Sequence, residues 1–253
     1  MSNVVVCMRN RLVEEVTPPI VKSTPSADPS FPLANVLHRS REKFWKCGPT
    51  APGTATVDLD LRVGVPYRVV GITRNRKHGS GTGITNVAIY TSTSATYPPG
   101  AWTSRGSFAV TPTVDTVALD MGSVTVRQLR YTITDSGPYS CRLWAARTAD
   151  YVALSSEGAA VAEQRWRERK GSSNLLGHEG YNDYGQRRIV RLTHAMASAA
   201  QRTTWRNSVG EAMLVLLPDG GWCECRHGST PEVERAISSS ALYNHRLVLE
   251  VQP

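Results

Sequence analysis

Between Thr56 and Leu61 the chain alternates: Val57, Leu59 and Leu61 fall on one side, Asp58 and Asp60 on the other. Successive strand side chains point to opposite faces, so such a run suits a half-buried sheet and would scatter its apolar groups around a helix. The pattern returns between Thr125 and Ile133, where Leu129, Tyr131 and Ile133 oppose Arg130 and Thr132. It returns again between Ser140 and Ala146, which groups Cys141, Leu143 and Ala145. Val114 to Leu119 alternates too, and Val4 to Met8, Val69 to Thr73 and Asn86 to Tyr90 are further short apolar runs. Strands at this spacing, separated by Gly- and Pro-rich turns, predict an antiparallel sandwich over residues 1–150. Asp58 and Asp60 are expected on its solvated face.

The composition changes after residue 150. Ser156-Glu157 can cap a helix through Ala159 to Arg169 that ends in basic residues and Gly171, which suits the helix dipole. Residues 151–185 are therefore expected to be a connector with a helix and a Gly-rich loop. Residues 186–253 read as a smaller β-rich assembly domain, barrel-like and α+β. Its elements are a strand at Arg188 to Thr193, a helix at Ala195 to Asn207, and strands at Ala212 to Leu217, Trp222 to Arg226 and Leu242 to Val251. Pro218-Asp219-Gly220-Gly221 is a hairpin turn. No internal repeat is visible.

The front half carries a further set of signals in order. A Pro-rich turn, Ser26 to Pro32, leads into Asn35-Val36-Leu37, and Phe44-Trp45 follows. Val57-Asp58-Leu59, then Val69-Val70-Gly71-Ile72 before an Asn-containing basic loop, then Leu129-Arg130-Tyr131 complete it. This order resembles the discoidin-type (coagulation factor 5/8 C-like) family over residues 20–150. The resemblance implies a jelly-roll β-sandwich, closed at one end by the Trp, that holds ligands or partners on its loops and seldom does chemistry. The terminal cysteine pair of many extracellular members is not evident. The His-x-Arg-x-Asp pattern of the fucose-binding members is absent as well.

Composition narrows the function classes. With 253 residues and 40% hydrophobic content, the chain can bury a sizeable core. No apolar run approaches the roughly 20 residues of a membrane helix, and no membrane partner is expected. The opening residues, Met1 to Arg9, read as a strand and not as a signal peptide, so a cytosolic origin is expected. Five cysteines, an odd number at low density, fit reduced thiols. The net charge of +8 is spread over Arg74 to His78, Arg165 to Lys170 and Arg187-Arg188. Without a nucleic-acid motif it reads as a solvated basic surface or one facing an acidic protein neighbour.

Catalytic signatures are missing: there is no Gly-x-Ser-x-Gly elbow, His-Glu-x-x-His helix or P-loop. No catalytic residue, cofactor or enzyme activity is expected. Cys223, Cys225 and His227 share one strand face, with His245 as a fourth candidate ligand, but the spacing is not that of a zinc knuckle, and no metal is expected. Partner or glycan contacts are expected at Arg74, Arg76, His78, Tyr97, Trp102 and Arg105, with the basic loop and the aromatic loop together at one sandwich end. Trp stacks on sugar rings, and Arg makes forked hydrogen bonds.

Joined to the sandwich, the order Tyr184 to Leu192, helix, Ala212 to Gly220, strand, final strand is similar to the distal-tail and tail-ring class of bacteriophage proteins. That similarity implies a virion component, assembled in the bacterial host cytoplasm. It would form a homo-oligomeric ring contacting other tail proteins. A carbohydrate- or receptor-binding module that meets a cell-surface glycan is the alternative, and a capsid-associated decoration protein is the second alternative.

Overall fold

The computed structural model describes residues 4–13, 17–23, 27–38, 44–46, 53–74, 83–111, 114–137, 139–154, 159–170, 180–197, 203, 205, 207, 212–217, 219–227, 232–235 and 243–251. The chain is built from strands. They are β1 (Val4–Cys7), β2 (Ile20–Val21), β3 (Trp45–Lys46), β4 (Thr54–Arg74), β5 (Ile84–Ser92), β6 (Thr103–Ala109), β7 (Thr116–Asp135) and β8 (Ser140–Arg147), followed by β9 (Tyr151–Leu154), β10 (Ala159–Lys170), β11 (Gly180–Ala197), β12 (Ala212–Leu216), β13 (Trp222–His227), β14 (Glu232–Arg235) and β15 (Tyr243–Val251). They fall into two compact units. One comprises Val6–Val152 with Gly221–Cys223; the other comprises Met1–Val5, Ala153–Gly220 and Glu224–Pro253.

The first unit is the antiparallel β-sandwich that the alternation predicted. Its frame is one long antiparallel pair, β4 and β7, which runs from Thr54↔Thr134 to Thr73↔Thr116. The pair bends where the register shifts between Asp60 and Val65, beside Arg62 at φ 65°. Extra residues on one strand disrupt the ladder and kink it. On one side of the bend, β4 pairs with β2 and β7 pairs with β5, which pairs with β6. On the other side β4 pairs with β8, and β8 with β3. Two sheets thus share two strands, and their facing residues form one core: Val57, Leu59, Leu129, Tyr131, Val87 and Ile89 from the first sheet, Val70, Ile72, Cys141, Leu143 and Ala145 from the second.

Other expectations hold locally. Leu33–Leu37 is a short 3-10 turn, tied by Asn35 Nδ2 donating to the Phe44 carbonyl at 3.0 Å. Trp45 is fully buried, edge-on to Tyr139 with ring centroids 5.3 Å apart. Gly71 is required by close packing: a Cβ there would lie 2.4 Å from the Val117 carbonyl oxygen. Cys7, Cys141, Cys223 and Cys225 are buried.

The expected helix at Ala159 to Arg169 is corrected. That segment is strand β10, paired residue by residue with β11 from Ala159↔Leu192 to Lys170↔Gly180. Ala and Arg are good helix formers, but such propensities amount to less than about 1 kcal/mol per residue, and pairing with a long partner strand overrides them. Likewise β11 continues to Ala197, through the expected start of the second helix; Thr203, Trp205 and Asn207 are helical. The second unit continues with β15, which pairs with β11, β13 and β14. His227 registers with Leu249, four residues from His245, so the register separates these two proposed ligands along the strand. No described helix is long and apolar enough to cross a membrane.

Candidate functional site

Arg74 is the one described residue of the expected basic loop, residues 74–78. The loop of residues 93–102 leaves the end of β5, whose nine residues span roughly 26 Å at about 3.3 Å per residue. Arg74 lies toward the other end of β5, where the Thr85 carbonyl and the Arg74 guanidinium both meet the segment of Val110 and Thr111. Arg74 is itself buried and spends its guanidinium on its own end of the fold. It donates to the carbonyls of Thr111 (2.9 Å) and Val114, with Asp115 at 3.9 Å. Arg76 and His78 lie outside the described residues.

The other end carries a built loop. The outer face of the first sheet presents Asp58 opposite Arg130, and Arg130 opposite Tyr90. Asp58 is not solvated as expected: it is buried, because the 93–102 loop folds down over it. Arg130 grips it with two charge-assisted hydrogen bonds, Nε to Oδ1 at 2.7 Å and Nη2 to Oδ2 at 2.8 Å. Tyr97 Oη donates to Oδ2 at 2.8 Å. Trp102 lays its ring against the Arg130 guanidinium, 4.2 Å from its centroid. The Asp58 carboxylate raises the Arg130 pKa above its ordinary value. Burial first, then the Asp58 hydrogen bond, raises that of the Tyr97 phenol.

Asp60 is buried as well, accepting from the Arg62 amide at 2.8 Å, with Arg127 Nε at 3.6 Å. Beneath the loop, Gln128 Nε2 donates to the carbonyls of Ser94 (3.0 Å) and Thr96 (2.5 Å). Ser94 and Thr96 bond to each other within the turn, as Ser and Thr do in place of regular ladder contacts. The Tyr97-Pro98 peptide is cis.

Beside this pinned loop, at the mouth of the sandwich, lies a cleft of about 300 Å³. Six of its lining residues carry hydroxyls: Thr91, Ser92, Thr93, Ser94, Thr103 and Thr125. Ala101 and Arg105 line it too, and among the described residues Arg105 is its one charged residue. Arg105 is the extra residue of a β-bulge. Tyr90 pairs with Ser104 and Ile89 with Gly106, leaving Arg105 unopposed, and Gly106 takes φ 127°. Bulges of this kind re-aim a side chain. The guanidinium turns onto Thr91, with Nε donating to Oγ1 at 2.7 Å.

Of the six residues expected to touch partners, the fold therefore brings Tyr97, Trp102 and Arg105 to one end. The first two act as loop anchors, with one face of Trp102 taken by Arg130. Sequence reasoning missed Asp58, Arg130 and Gln128 as the floor of the loop. The available signal was an Asp and an Arg on outward positions of two alternating strands.

No family model and no curated protein matches the chain. Among solved structures it is similar to the GH29 fucosidase of Ruminococcus gnavus in complex with fucose, at 17% identity and TM-score 0.45 over 56% of this chain and 27% of that one. It is similar to the C-terminal domain of a chitobiase from Bacteroides fragilis, at 19% identity and TM-score 0.44 over 51% and 93%. A third is CBM32-1 from a family 31 glycoside hydrolase of Clostridium perfringens, at 11% identity and TM-score 0.44 over 55% and 99%. The chain thus spans little more than a quarter of the fucosidase's length.

Proposed function

We propose that the sandwich is a recognition module that binds carbohydrate in the cleft beside the 93–102 loop. The observation that carries this reading is the lining: six hydroxyl side chains and one guanidinium at the rim of a rigid fold. A Thr or Ser hydroxyl can both donate and accept, as a sugar hydroxyl does, so the two surfaces can satisfy one another in either sense. The volume of about 300 Å³ is at the small end for ligand sites and suits a short saccharide. The loop is held by the Asp58–Arg130–Tyr97–Trp102 cluster before any ligand arrives, which lowers the ordering cost of binding. Because Trp102 is engaged by Arg130, its part in this reading is to shape the loop.

The test is a glycan array followed by calorimetry. Binding of at least one saccharide class, weakened by Thr103→Val without loss of thermal stability, is the expected result. Failure to bind any saccharide overturns the proposal.

A second reading, a virion tail component that assembles with copies of itself, draws on strand β10. Among the described strands β10 has β11 as its one neighbour, and such an edge offers unpaired backbone groups to another chain. It predicts a multimer by light scattering at micromolar concentration; a monomer contradicts it.

A further inference from the structure

Resting on the carbohydrate reading, we infer that the saccharide bound in the cleft is an acidic one, its oxyanion held by Arg105. Four observations converge. First, among the described residues Arg105 is the one charged group that lines the cleft, and no described carboxylate lies there to neutralise it. Second, the neighbouring arginines of the same unit are committed: Arg68 to Asp120 at 3.1 Å, Arg130 to Asp58 at 2.7 Å, and Arg127 near Asp60 at 3.6 Å. Among the described residues Arg105 has no such acidic partner, and its recorded hydrogen bond is the one to Thr91.

Third, that bond uses Nε, which orients the planar group and leaves the two terminal nitrogens as a fork. A fork of parallel N–H donors matches the two oxygens of a carboxylate or sulfate. Fourth, the side chain enters the cleft from a β6 bulge at this residue, beside Gly106 at φ 127°, a conformation that side-chain-bearing residues rarely adopt. A strand that gains no pairing from its extra residue spends that irregularity on aiming a cation among hydroxyls. The net charge of +8 adds a general attraction for polyanions.

Carboxylate and sulfate share the chemistry that Arg105 reads, so the test carries both. The whole protein is screened against neutral, uronate-bearing, sialylated and sulfated glycans. Polygalacturonate is compared with its methyl ester, which erases the charge and keeps the sugar. The inference expects hits confined to acidic glycans. It also expects affinity for the best hit to fall about tenfold or more in Arg105→Gln, as for loss of a charged hydrogen bond. Arg105→Lys, which keeps charge without the fork, should fall between for carboxylates. Whether the uronate and sialyl arm or the sulfate arm responds identifies the oxyanion.

Equal binding of neutral and acidic glycans overturns this inference and leaves the carbohydrate reading standing. Acidic hits indifferent to Arg105→Gln overturn the assignment to this residue. No binding to any glycan overturns both readings at once.

Discussion

Replacing Arg130 by methionine removes the guanidinium that grips Asp58 while keeping the length and apolar stem of the side chain. The parent makes two bonds of 2.7 and 2.8 Å to a carboxylate whose side chain is 3% exposed. Leaving a buried carboxylate with one partner withdrawn costs about 3–5 kcal/mol. Arg130 itself is 28% exposed, so water can partly replace it, and about 2–3 kcal/mol is the expected loss. For a unit of this size each kcal/mol moves Tm by about 2–4 °C, giving a fall of roughly 4–12 °C. Urea denaturation followed by Trp fluorescence gives the free energy, and a cycle with Asp58→Asn isolates the pair. The double variant is expected to recover at least half of the loss, because no charge is then left buried and alone. A loss under about 0.5 kcal/mol for Arg130→Met would place the pair with ordinary surface ion pairs and would refute the argument that it pins the loop.

Further outcomes follow from the same geometry. Gly71→Ala drives a Cβ into the Val117 carbonyl, 2.4 Å away; it should cost about 3 kcal/mol or prevent folding, as overpacking does, read by soluble yield and Tm. Gly106→Ala, at φ 127°, should cost about 1–3 kcal/mol of backbone strain and weaken glycan binding by disturbing the bulge; unchanged stability contradicts it. The phenols of Tyr97, Tyr131 and Tyr151 are all held above the ordinary value of 10.0, chiefly by burial. A pKa raised in the fold gives stability that is intact below the unfolded value and falls as pH rises past it. The urea midpoint should therefore decline above about pH 10, with late tyrosinate absorbance; a flat midpoint there refutes it. Burial also raises the Asp135 pKa, and its Oδ2 is a buried atom without a hydrogen-bond partner. Asp135→Asn should raise Tm at pH 7 and lose that gain in acid, below the carboxylate's range.

The sandwich was legible because its strands alternate cleanly. Val57, Leu59 and Leu61 could face nothing but a core, and a one-residue slip would have put all three in water. The fate of Asp58 was not legible, because the same alternation that turns it outward does not reveal a loop forty residues later that folds over it. The distance between Arg74 and Trp102 depended on where β4 folds back, and that bend is set by the extra residues between Asp60 and Val65, which carry no distinctive pattern. Arg105 was picked from an aromatic, basic loop. Its aim depends on a bulge, and a bulge is a property of pairing with β5, not of local sequence. The Ala-rich stretch from Ala159 looked helical for the same reason: its partner, β11, is a long-range choice.

The most direct test of the account is an amide chemical-shift map of the labelled protein titrated, separately, with a neutral oligosaccharide, oligogalacturonate, sialyllactose and a sulfated oligosaccharide. Saccharide recognition at the mouth of the sandwich predicts shifts concentrated at Thr91 to Ser94 and Thr103 to Gly106 for at least one of the four. Shifts centred on the opposite end, at Gly83-Ile84 and Tyr139-Ser140, or no shifts with any of them, would contradict it.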